Sequence, residues 1–408
     1  MKLQSSIVCA VAALALAGTA LAAGPKAYVG NFKDNTVSVI DTGEARVVAT
    51  VPVGAGPDGI VIARNDAEAF VSGASASTIN VIDTASDKVK ATVEVGKGPQ
   101  GLAITADGKW VLAAVNGDDR VAFIDSSTHA VVATAPVGKP HTIAIRPGGK
   151  QAWVSSQQPG QYSLAVVDLA TRAVTTTLPM EKTPRDLEFG ADGKFLYVTL
   201  AGVSAVQVID PETRQIVAQI PTGVSPHIAQ HFAGTPHGVA VVQGPGELML
   251  FDPATNAAVR SVPVGKQPHW VDVVPGGKKV LVTNEGSNDV TVVDLAGGAS
   301  STIAVGTAPR KVAVQHGLAT KVAAGAARVS INNFMFGPMR VSIAPGQAVQ
   351  WVNDDGAPHG LAFKDGAKGM ELILPGQSFS RSFDKPGVYE YVCSVHPYMT
   401  ASVAVGMQ

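Results

Sequence analysis

Cysteine is nearly absent from this chain: 408 residues contain two, Cys9 and Cys393. Charge is also scarce, at 15% of residues with a net value of −1, which gives no basis for binding nucleic acid or an acidic membrane surface. No long apolar run suited to crossing a bilayer is present. The longest candidate is IVCAVAALALAG near the start, short of the ~20 residues a span requires. No nucleophile elbow, phosphate loop or paired-carboxylate motif stands out. Asp107 and Asp192, with their Gly-Lys neighbours, read as repeat turns.

Lys2, that apolar core and the small residues Ala20-Leu21-Ala22 form an export signal over residues 1–22, which predicts a periplasmic protein with no membrane span after cleavage. Cys9 lies inside the signal, and Val8 before it is too large for a lipid-attachment site. Cys393 is then the only mature thiol. One thiol excludes a disulfide framework, covalent haem through C-x-x-C-H and clusters needing several thiolates. A lone thiol in an oxidising compartment is a liability unless it is buried or bound.

Gly (43) and Pro (26) are plentiful, and short Val, Ile and Thr runs recur, a mixture that favours an all-β chain. An apolar strand ending in Asp repeats at Asp41, Asp83, Asp125, Asp168, Asp210, Asp252 and Asp294, at intervals of 42 or 43 residues. V-P-V-G or a variant ends at Gly54, Gly96, Gly138, Gly223, Gly265 and Gly306, followed by Pro and another apolar strand. Four short strands repeated seven times predict a seven-bladed β-propeller over residues 23–315. The pattern enters at a second strand, AYVGN, and PRKVAV at 309–314 supplies the missing innermost strand of the first blade. The YVTN-like strands and the V-P-V-G-x-x-P pattern resemble the YVTN family of propeller repeats.

Residues 316–327 read as a small-residue linker, and from Arg328 alternating strands broken by Gly-Pro and Pro-Gly predict a β-sandwich to residue 408. The strand YEYVC turns Tyr389, Tyr391 and Cys393 to one face. His396 and Met399 follow in the turn, and His359 lies in an earlier loop. One thiolate, two imidazoles and a weak thioether make a trigonal His₂Cys copper set with axial Met. Zinc would prefer four firm N/S ligands, and a two-copper centre would need a second loop cysteine. VSIAPGQAVQWVNDD, the P-H before the first ligand strand and PGVYEYVC, with the C-x-x-H-x-x-M loop, resemble cupredoxins of the plastocyanin, pseudoazurin and amicyanin type. The resemblance implies one type 1 copper on His359, Cys393, His396 and Met399. It also implies an electron port at His396 within an apolar patch, for which Pro338, Pro358, Pro397 and Tyr398 are candidates. Gly360 departs from the polar residue many members carry; its N–H remains available to the sulfur.

The residue after each innermost-strand Pro is, in order, Asp58, Gln100, His141, Arg185, His227, His269 and Arg310. Three readings apply to this channel-mouth ring: a metal site on the histidines, a small-anion site on Arg and protonated His, or side chains satisfied between blades. The metal reading resembles nitrous oxide reductase, which joins a propeller to a cupredoxin-like domain. His129, His231, His237 and His316 show no joint pattern. The function expected is periplasmic one-electron transfer to a cytochrome, cupredoxin or dehydrogenase, with the propeller as docking or ligand-binding platform. Alternatives are a copper-dependent oxidoreductase acting on a small anion at the channel mouth and a copper-binding scaffold without redox turnover.

Overall fold

The architecture comes from a computed structural model that describes residues 25–316, apart from positions 65, 233, 234 and 299. It also describes residues 325–406, apart from positions 333, 356, 357 and 374–377. The expected export signal lies outside the described residues.

Seven four-stranded antiparallel sheets follow one another from Lys26 to Val314. Burial explains the sequence pattern of each blade. Glu68–Gly73 and Thr78–Asp83 are covered along nearly their whole length because neighbouring blades pack on both faces, so they read as continuous apolar runs. The outermost strand, Lys88–Glu94, is half-covered and alternates instead. Pro309–Val314 pairs antiparallel with Lys26–Asn31 and completes the first blade as the sequence predicts.

The repeated Asp is a turn-former. Asp168 Oδ1 accepts the N–H groups of Ala170 and Thr171, and Asp294 Oδ1 those of Ala296 and Gly297. Four residues after each Asp the chain enters the left-handed region, as at Arg172 (φ 58°) and Arg214 (φ 59°), and from Asp83 onward that residue's N–H returns to the Asp carbonyl. The 42-residue spacing is therefore the spacing of one hairpin per blade.

Innermost strands line a central channel. Gly59 and Gly101 let neighbouring ones approach closely: a Cβ at either would collide with the carbonyl oxygen of Gln100 or His141.

The C-terminal region forms two sheets, one built on Ala327–Asn332, Ala348–Asn353 and Ser378–Ser382, the other on His359–Phe363, Gly387–Val392 and Thr400–Val405. Trp351, Phe363, Phe383 and Tyr391 pack edge-on or tilted between them. One end of this sandwich rests on the propeller, where the Gly148 N–H lies 3.1 Å from Met335 Sδ. Asn332, Met335, Asp354 and Asp355 there close a cavity of about 260 Å³ whose remaining walls are propeller residues, among them Arg64, Glu188, Gln230, Asp272 and His316. That cavity shares walls with a second, of about 240 Å³, inside the channel.

Candidate metal centre

Strand geometry brings the thiol and the imidazoles together. His359 opens His359–Phe363, and Cys393 immediately follows Gly387–Val392, its neighbour in the sheet. The chain then reverses: Met399 N–H donates to the His396 carbonyl at 2.9 Å and Cys393 N–H to the Met399 carbonyl at 3.0 Å. The Cys393 Sγ lies 3.6 Å from His359 Nδ1 and 3.8 Å from His396 Nδ1. A trigonal metal with bonds of about 2.0–2.3 Å requires donors roughly 3.7 Å apart, so this spacing fits one ion. Met399 is buried in the same cluster as Cys393.

Electrostatics prepare the donors. Burial would raise the Cys393 thiol, but hydrogen bonds from His359 and from the N–H groups of Gly360 and His396 bring it below its ordinary value. Those N–H groups lie 3.4 and 3.3 Å from the sulfur, so Gly360 supplies through its backbone the contact expected of it. His359 Nε2 lies 2.7 Å from Asp355 Oδ2, a pair with fully buried side chains. Although burial lowers His359, that carboxylate and the sulfur outweigh it and lift its pKa to about 9. With Nε2 donating to Asp355, Nδ1 is turned toward the sulfur, and loss of its proton to a bound metal would open its lone pair for coordination.

Sequence reasoning missed Asp355 and Phe334. Asp355 stands four residues before His359 in a non-helical loop, where that spacing carries no periodic signal. The Phe334 ring meets both imidazoles edge-on, with centroids 5.4 and 4.7 Å away, and no local signal marks it. Of the candidate patch, Pro358, Pro397 and Tyr398 are exposed and Pro338 half-buried, while His396 is partly exposed beside them.

The propeller ring lies at the far end of the innermost strands from the copper domain. Arg185 donates to Ser225 Oγ at 2.6 Å and to Gln243 Oε1 at 3.1 Å. Arg310 pairs with Asp58 at 2.9 Å and lies over the Phe32 ring, 3.5 Å from its centroid. His227 and His269 rings lie 3.9 Å apart between centroids, and the Nδ1 atoms of His141, His227 and His269 are buried without partners. Burial, with the nearby guanidiniums, holds all three imidazoles below their usual range, hence neutral near pH 7. Among the described residues, only His359, Cys393 and His396 bring three His, Cys, Asp or Glu donor atoms within 4.8 Å of one another. His231 and His316 line the cavity beneath the copper domain, His316 bonded to Asp66 at 2.7 Å. His129 bonds Glu68 at 3.2 Å.

Comparison with known proteins agrees with both halves. A family model for copper-binding proteins of the plastocyanin/azurin family matches residues 323–406, and one for YNCE-like β-propellers matches residues 2–106. Amicyanin-alpha of Methylorubrum extorquens is 38% identical over 88 residues, 20% of this chain and 73% of that protein. Plastocyanin of Scenedesmus fuscus is 37% identical over 73 residues, 15% of this chain and 74% of that protein. Hydrazine synthase of Kuenenia stuttgartiensis superposes with a TM-score of 0.60 at 20% identity, covering 69% of this chain and 99% of that one. Likeness at that identity speaks for the fold alone.

Proposed function

Because the chain belongs, through its C-terminal domain, to the plastocyanin/azurin family of copper-binding proteins, we propose that it is a periplasmic one-electron carrier. Its single type 1 copper would be held by His359, Cys393, His396 and Met399, and the propeller would serve as a platform for a redox partner such as a cytochrome, a cupredoxin or a dehydrogenase. The observation that carries this reading is one thiol between two imidazole nitrogens at 3.6 and 3.8 Å. Bound copper supplies exchange between Cu(I) and Cu(II), chemistry suited to this soft donor set.

The remaining work falls to the protein's own groups. Asp355 fixes the tautomer and orientation of His359. The Gly360 and His396 N–H groups stabilise negative charge on the sulfur. Phe334, packed against both rings, restricts their rotation and excludes water. Partial exposure of His396, beside exposed Pro397 and Tyr398, supports it as the outlet toward a partner. A periplasmic location rests on the export signal read in residues 1–22.

An absorption and EPR spectrum of the mature, Cu(II)-loaded protein tests the assignment. An intense thiolate-to-copper band is expected, with one copper per chain, and it disappears in Cys393→Ser. Absence of the band in the unmodified protein would sink the copper reading. Failure of the reduced protein to pass electrons to any periplasmic cytochrome or dehydrogenase would sink the carrier reading while leaving the site intact.

A further inference from the structure

The propeller channel is two-sided. On one wall stand Glu188, Gln230 and Asp272, from three consecutive blades; on the other stand Val61, Ala103 and Ala144. Asp186 occupies the same strand position as Trp270 and Lys311, which line the channel, and feels the charges of Lys311 and Asp58 from other blades. Its side chain is 1% exposed, and its Oδ2 has no hydrogen-bond partner.

Asp272 accepts the Val273 and Val314 N–H groups and Asp186 Oδ1 that of Leu187, which leaves Asp186 Oδ2 and the Glu188 carboxylate without donors on the protein side. Gln230 spends its Nε2 on the Val271 carbonyl at 2.6 Å, which leaves Oε1 as an acceptor. Among the described residues the Glu188 carboxylate has no hydrogen-bond or ion-pair partner. Lys311, the one ammonium in the channel, lies over the Trp270 ring, 3.9 Å from its centroid, rather than against a carboxylate. A carboxylate buried without donors is destabilised as the anion. Burial accordingly drives Asp186 well above the usual carboxylate range and Glu188 to about 7.

We propose that the channel binds a small alkylammonium solute, its head against Asp186, Glu188 and Gln230 and its hydrocarbon tail against Val61, Ala103 and Ala144. A bare metal ion is the poorer occupant, because these carboxylate oxygens do not converge within 4.8 Å as the donors of the copper centre do. A head carrying several N–H donors spans the wider gap. An anion would face three carboxylates, with Lys311 over the Trp270 ring and Arg64 bonded to carbonyls at the copper-domain end. At the end capped by the copper domain, the Arg64 guanidinium donates to the Ile104 and Thr105 carbonyls, and His316 is paired with Asp66. The Arg64 charge keeps the head in mid-channel. A volume of about 240 Å³ accommodates a chain of a few carbons, since an engineered cavity of about 150 Å³ holds benzene.

The test is calorimetric titration of the copper-loaded full mature chain near pH 8 with n-propylammonium chloride, ammonium chloride and 1-propanol. Saturable one-to-one binding of n-propylammonium is expected, about tenfold or more tighter than ammonium and absent with 1-propanol. Glu188→Gln should weaken it about tenfold or more. Lys311→Gln, which removes a resident like charge, should tighten it about threefold or more. The copper band and circular dichroism report folding of each variant, so failure here is separable from failure of the copper assignment. No saturable heat at tens of millimolar, equal binding of 1-propanol, or affinities unmoved by both substitutions would overturn the proposal.

Discussion

The two mouths of the propeller channel are built from the same seven strands and are chemically opposite. At one, Arg185 and Arg310 are engaged by Ser225, Gln243 and Asp58, and three imidazoles stay neutral. At the other, a copper domain closes the opening, and Asp355, the residue holding His359, forms part of the wall. At the first mouth the two arginines bond across blades, while the three imidazoles keep an unpartnered Nδ1. The second mouth joins the channel interior to the metal centre.

The largest test of this contrast uses pH. Burial holds Glu188 up to about 7 and Asp272 up to about 6, so between the usual carboxylate range and those values the folded chain binds more protons than the unfolded one. Stability attributable to them therefore falls as pH rises through that window. Glu188→Gln should flatten the fall by up to about 3 kcal/mol in denaturant titrations between about pH 4.5 and 7. The rim carboxylates act with opposite sign. Turn hydrogen bonds hold Asp168 and Asp210 below the ordinary value, so their contribution is present above that range and lost as pH falls. An unchanged slope in the Gln variant would remove the channel acids from the comparison.

A smaller effect separates the mouths through the metal. Asp355→Asn should weaken copper binding by about 10- to 100-fold in competition titrations, whereas His227→Gln should leave affinity and spectrum unchanged. Equal loss in both variants would mean that the far ring also serves the copper. Smallest is Met335→Ala, which removes the sulfur facing the Gly148 N–H. A loss of about 1 kcal/mol in local stability should appear as faster hydrogen exchange at residues 146–149.

Local chemistry made much of this legible in the sequence. Each Asp turn is complete within four residues, and Cys393, His396 and Met399 share one loop, so their spacing survives as a motif. The missing innermost strand could be counted, and Pro309–Val314 fills it. Register also placed the ring residues correctly on successive innermost strands. Their partners were not legible, because Ser225, Gln243 and Phe32 reach them from other strands and loops. Arg64, Asp66 and His316 meet across about 250 positions without any repeat to announce it. Asp355 was hidden by its neighbour: Asp354 pairs with Arg328 at 2.8 Å and only Asp355 turns to the histidine.

The strand that completes the first blade also has a mechanical meaning. Pro309–Val314 is the last propeller segment before the chain leaves for the copper domain, and it is held to Lys26–Asn31 by an antiparallel ladder. Tension applied through a partner gripping the copper domain therefore arrives first at this seam. Every other blade draws its four strands from one continuous stretch of chain, so this seam alone joins the two ends of the propeller.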